Sequence, residues 1–296
     1  MSVRVALETL VGLALLAPVQ AHAGAWTLEE GQGIAVFALT ASSADQIFDG
    51  SRKLQPTPRY NKFEFQALFE YGLRDWFTVI VAPGVQHIDI AAPVGAKRTG
   101  LGFTEAGGRL RIFHSDNWVV STQAMIRIPG TFDASNPAAI GHNGFEHDLR
   151  LLVGHSFLLA GWQAFVDLQF GQLFRSGERP SEVRIDAAFG VRPSPQWLML
   201  AQLFNVISEG DSPPLFPSYD YSKLQLSVVY ELTPQWALQA GGFTTFHGRN
   251  ALQENGLLAA VWYRFPSAAA KSATVGATSL EREHSALDLH MLGARR

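Results

Sequence analysis

The run Tyr60-Asn61-Lys62-Phe63-Glu64-Phe65-Gln66-Ala67-Leu68-Phe69-Glu70-Tyr71 alternates with period two. Lys62, Glu64, Gln66 and Glu70 share one parity, and Phe63, Phe65, Ala67, Phe69 and Tyr71 share the other. A β-strand sends successive side chains to opposite faces, whereas a helical period would scatter both sets around a cylinder. The stretch therefore predicts a strand with one polar and one apolar face. The pattern recurs along the chain. Trp118, Val120, Thr122, Ala124, Ile126 and Ile128 oppose Ser121, Gln123 and Arg127; Trp162, Ala164, Val166, Leu168 and Phe170 oppose Gln163, Asp167 and Gln169. Val183, Ile185, Ala187, Phe189 and Val191 oppose Arg184, Asp186 and Arg192, and Leu224, Leu226, Val228 and Tyr230 oppose Lys223, Gln225, Ser227 and Glu231.

Short turns separate these strands at 72–75, 114–117, 158–161, 193–196 and 233–235, and a Trp follows each one. Trp76, Trp118, Trp162, Trp197 and Trp236 are spaced by 42, 44, 35 and 39 residues, the length of one hairpin plus one loop. Longer segments rich in Gly, Pro, Ser, Asp and Asn, at 43–59, 88–100, 129–143, 174–181, 209–220 and 248–255, read as the alternate loops. With one strand before the first unit and one after the last, the expectation is an all-β, antiparallel up-and-down barrel of twelve strands.

Alternation alone does not say which face is inside. Strands of about ten residues, at ~3.3 Å rise and ~45° tilt, cover an apolar band near that of an outer membrane. Short turns at one end, long loops at the other and a Trp row at the short-turn end match periplasmic and extracellular rims. Charges at mid-strand on the opposite parity fit a wet lumen and not a dry core. The apolar parity is therefore expected to face outer-membrane lipid.

Composition supports this. The 296 residues carry 23 Lys+Arg against 26 Asp+Glu, a net charge of −3, so no basic patch for nucleic acid is expected. Charged residues are only 17%, and the absence of Cys removes thiol catalysis, Cys-bound zinc and iron–sulfur clusters. No run of about 18 apolar residues would make a transmembrane helix. Arg4, the apolar core 10–17 and the small residues Ala21 and Ala23 read as a signal peptide, residues 1–23, cleaved after Ala23. The barrel then occupies 24–265, and the Ala/Ser-rich stretch 266–296 reads as a disordered tail.

The last strand, with Leu257, Ala259, Val261, Tyr263 and Phe265 on one parity, resembles the C-terminal signal that the barrel-assembly machinery reads, Tyr263 and Phe265 being its aromatic end. The chain continues past that aromatic, which departs from the usual pattern. The segments Gly24-Ala25-Trp26-Thr27, Glu70-Tyr71-Gly72-Leu73-Arg74-Asp75-Trp76 and Thr233-Pro234-Gln235-Trp236 resemble XagA-type outer-membrane proteins. The Tyr-Gly-Leu turn is also similar to the wider family of barrels linked to phenol meta-cleavage pathways. The first resemblance implies a link to an adhesive surface polysaccharide, with synthesis or export proteins as partners. The second implies uptake of small aromatic compounds. Neither supplies a catalytic residue.

The residues themselves offer no H-E-x-x-H, G-x-S-x-G or phosphate-binding loop, so a non-enzyme without cofactor or metal is expected. His147 and His155 are eight residues apart on one strand, roughly 26 Å, and cannot share an ion. His142, Glu146, His147 and Asp148 form a weak alternative, a rim set for a lipid-modifying enzyme. The candidate lumen residues are Glu105, Arg109, Arg111, Arg127, Glu146, Asp148, Arg150, Asp167, Arg184 and Asp186. Adjacent strands are expected to pair Arg127 with Glu146 and Asp148, Arg150 with Asp167, and Asp167 with Arg184. The implied function is a narrow channel or export component with a polar lining for a neutral, hydroxyl-rich solute. An uptake barrel for aromatics and a structural or interaction barrel are the alternatives.

Overall fold

The computed structural model describes residues 24–133, 135–140, 144–176, 179–210 and 217–265. The expected signal peptide 1–23, the tail 266–296 and His142 lie outside the described residues. Twelve antiparallel strands follow one another around a single sheet: β1 (Gly33–Phe48), β2 (Leu54–Arg74), β3 (Phe77–Ala82 and Gly84–Ile90), β4 (Ala96–Leu101 and Thr104–His114), β5 (Trp118–Ile128), β6 (Glu146–Leu159), β7 (Trp162–Arg175), β8 (Glu182–Ser194), β9 (Trp197–Ser208), β10 (Asp220–Glu231), β11 (Trp236–Arg249) and β12 (Ala251–Leu252 and Asn255–Phe265). β1 pairs with β2 on one side and β12 on the other, Gly33 standing opposite both Tyr71 and Phe265. The sheet thus closes on itself and leaves no edge strand.

The apolar parity faces outwards. Leu39, Phe63, Leu149, Phe170, Leu226 and Leu257 are 49–71% exposed, a density of bare hydrocarbon that only lipid covers without cost. Trp76, Trp118, Trp162, Trp197 and Trp236 are 44–52% exposed along one rim. Trp197 packs on Tyr230 and Trp236 on Tyr263, which meets Phe265 edge-on at 4.7 Å, so the girdle and the terminal aromatics share one belt. The His155 ring stacks on Trp118 in the same belt, 4.1 Å between centroids.

The strands are longer than ten residues. β2 runs for 21 and β1 for 16, so most of the segment 43–59, expected as a loop, is strand and only 49–53 connect the two. Polar residues such as Ser43, Gln46 and Gln55 hide this, because above the bilayer neither face needs to be apolar. Asp49 secures the shortened turn. Its carboxylate accepts the backbone N–H of Lys53 at 2.9 Å and of Ser51 at 2.8 Å. The Lys53 bond, then those of Ser51 and Gln55, hold its pKa down from 3.8 to about 2. The turn should therefore keep its closure above the ordinary carboxylate range and lose it only as pH falls through about 2. A carboxyl NMR titration of Asp49 with a midpoint near 3.8 would contradict this.

Bulges interrupt the parity at several points. β3 pairs with the lower part of β4 as Ala82↔Glu105 but with the upper part as Val85↔Leu101, a one-residue slip at Gly102-Phe103. A slip of one exchanges the faces. Leu101 consequently points out, 58% exposed, while Phe103 is buried under the Arg127 guanidinium at 4.6 Å.

Candidate functional site

The polar parity of β4–β8 meets inside the barrel as one chain of alternating charge. Arg127 lies between Glu105 at 2.9 Å and Glu146. Arg175 joins Glu146 at 2.7 Å to Glu182 at 2.8 Å. Arg184 links Glu182 at 2.8 Å to Asp148 at 3.3 Å, and Arg150 binds Asp148 and Asp186, each at 2.7 Å. All but Glu105 have side chains under a tenth exposed. Every carboxylate here has a guanidinium partner, which is the condition for burying charge at all. A second cluster, Lys62 and Glu64 of β2, Lys223 of β10 and Glu254 at the break in β12, has Lys223 Nζ 2.7 Å from Glu254. Arg109 bonds Glu70 at 3.1 Å and Gln123 at 3.1 Å.

The ten residues expected in the lumen all belong to the inward parity, with two exceptions in detail. Arg111 is half-buried near the bulge that follows it and joins none of these ion pairs. Asp167 does not pair with Arg150 or Arg184. Arg150 sits opposite Gly171, four residues along the strand from Asp167, and reaches Asp148, Asp186 and Gln169 instead. Three further buried charges escaped the sequence reading: Arg175 and Glu254 fall in segments taken as loops, and Glu182 lies between such a segment and the strand read from Val183. Arg175 and Glu182 nevertheless continue the parity of Asp167 and Arg184, and that continuation was the available clue. The rim set does not assemble: Glu146 and Asp148 are buried inside, whereas His147 is exposed on the outer face.

The inner wall is not uniformly polar, which corrects the expectation of a polar lining. Strand β9 turns Leu198, Leu200, Phe204 and Val206 inwards, and Leu198 and Leu200 cluster with Ile34, Val36, Val229, Leu258 and Trp262. In β9 both parities are largely apolar, so period two gave no contrast to read. The lumen therefore has a charged side on β4–β8 and an apolar patch on β1, β9, β10 and β12 near the short turns, with the Lys62–Lys223 cluster further along the same strands.

Both ends are narrowed. At the extracellular end Ala138 and Ile140, from the β5–β6 connection, are buried against Ala44, Tyr60, Ile88, Ile90 and Leu252. At the short-turn end the segment 24–32 enters the barrel before β1. Gly31 turns it at φ 80°, and Gly72 lets it pass close against β2, since a Cβ there would lie 2.2 Å from the Glu29 carbonyl. Leu28 N–H donates to Thr78 Oγ1 at 2.9 Å, and the Trp26 carbonyl accepts from Arg109 at 2.9 Å. Trp26 meets Phe165 edge-on at 5.6 Å. Beside it lies a cavity of about 340 Å³. Trp26, Phe165, Leu200, Phe204 and Trp262 form its apolar wall; Asp167, Gln169, Asp186 and Gln202 form its polar edge. This shape can hold a ring against carbon while a hydroxyl donates to a carboxylate or amide oxygen.

The comparisons agree with this architecture. An outer membrane channel from Pseudomonas putida, in crystal structure, superposes with a TM-score of 0.68 at 14% identity over 84% of this chain and 100% of that one. The β domain of the Bordetella autotransporter BrkA superposes at 0.53, also at 14% identity, over 80% and 100%. At such identities the likeness is one of fold. None of the curated protein sequences matches the chain. The model of the family described as "Putative MetA-pathway of phenol degradation" matches residues 56–265, nearly the whole barrel. With its closed twelve-stranded wall, lipid-facing apolar parity and this match, the chain belongs to that family of outer-membrane barrels.

Proposed function

We propose that the barrel is a narrow outer-membrane channel for small, uncharged, hydroxyl-bearing aromatic molecules, entering from outside. The observation that carries this reading is the two-sided cavity, with aromatic and aliphatic side chains opposite Asp167, Gln169, Asp186 and Gln202. The family's description points the same way. Alternating charge elsewhere in the lumen leaves no strong net sign, so steep ion selection is not part of the proposal. A glycan strand, as the XagA resemblance implies, would have to displace both the segment 24–32 and the inward residues of the β5–β6 connection.

Planar-bilayer recording tests this. Catechol should interrupt the current of the reconstituted barrel, and glucose at the same concentration should not. Leu200→Trp, which fills the cavity from the apolar wall, should abolish the catechol events. Equal interruption by both solutes, or catechol events untouched in Leu200→Trp, would overturn the assignment.

A further inference from the structure

Eight carboxylates are buried among the described residues: Glu64, Glu70, Glu146, Asp148, Asp167, Glu182, Asp186 and Glu254. Seven have a Lys or Arg partner. Asp167, 1% exposed, is paired with no cationic side chain among the described residues. Its oxygens accept the Gln169 amide at 2.9 Å and the Ala25 backbone N–H at 2.6 Å. The Arg109 guanidinium, the cation beside the inserted segment, is committed to Glu70, Gln123 and the Trp26 carbonyl. A buried carboxylate with only neutral donors is costly, and a cation close to it would offset that cost.

The chain places one candidate there. An atom added at the Cβ position of Gly24 would lie 3.4 Å from Asp167 Oδ2, so the Gly24 nitrogen is within about 6 Å of that oxygen. Gly24 is also the residue that cleavage after Ala23 would leave first. The same added atom would strike the Trp26 ring at 2.3 Å, so only glycine fits between ring and carboxylate. The carbonyl of Ala25 accepts from Ser121 Oγ and that of Trp26 from Arg109, so the segment is held at successive residues with its end directed at Asp167.

We propose that Asp167 is the receptor for the chain's own processed N-terminus: the Gly24 ammonium, freed by signal cleavage, completes the lumen's charge pairing and seats the segment 24–32 as a tethered plug. Cleavage is then a step in building the lumen as well as a release from the inner membrane. This does not depend on the solute.

Intact mass should place the first residue of the mature protein at Gly24. Amine-reactive ester labelling of the folded barrel in detergent near neutral pH should then modify the Gly24 amine about tenfold more slowly than in Asp167→Asn, the effect of an opposite charge 4–6 Å away. Asp167→Glu should keep most of the protection, which burial alone would not require. Should Asp167→Asn fail to fold, inserting Gly-Ser between Ala23 and Gly24 moves the ammonium away without touching a strand and should likewise expose it. Equal labelling in the wild type and these variants, or a mature chain that begins elsewhere, would overturn the proposal.

Discussion

Replacing Arg150 with Ala is expected to destabilise the barrel by about 3–5 kcal/mol, the usual effect of removing one member of a buried ion pair. The guanidinium binds Asp148, Asp186 and Gln169 at 2.7–3.0 Å with its side chain 1% exposed. Without it, Asp186 has no ion-pair partner among the described residues, and Asp148 keeps Arg184 at 3.3 Å. The loss should appear as a shifted urea midpoint for folding into detergent or lipid vesicles, followed by heat-modifiable migration in gels. Arg150→Met, which is also uncharged but fills the space, should behave almost as badly, because the orphaned carboxylates are the cause and not the void. A midpoint unchanged in both variants would mean that water reaches this part of the lumen freely.

The second large effect is on the other face. Leu226→Arg places a charge on an outward position 56% exposed, midway along β10 and opposite Ala201 and Gly242. It should cost about 2–4 kcal/mol, as a cation near the bilayer midplane does. Ser227→Ala, one residue on, removes an acceptor of the Gln239 amide inside the lumen and should cost about 1 kcal/mol. The contrast between neighbouring positions is what reports the lipid face. If Leu226→Arg folds as well as Ser227→Ala, the outer wall is not in hydrocarbon.

Most of the wall was legible in the residues, because a strand's two faces are written in adjacent positions. Lys62 against Phe63, Asp167 against Leu168 and Gln225 against Leu226 each declare inside and outside within two residues, and the Trp after each short turn marks the rim. The site was less legible. Where a segment left the bilayer, as at Arg175 and Glu254, polar residues on both faces made strand look like loop. Where both faces are apolar, as in β9, the inward Leu198, Leu200 and Phe204 had no polar contrast to betray them, and the apolar patch of the lumen went unseen.

By itself, then, the chain's local pattern determined strand number, antiparallel order and which parity meets lipid, since these depend on period two and on turn length. Only the tertiary structure decided what fills the interior. Partners inside a closed barrel are set by tilt, stagger and single-residue bulges such as that at Gly102-Phe103, which displace a side chain by a whole step. Asp167 thereby meets Ala25, 142 residues away in sequence, in preference to the arginines on the next strands.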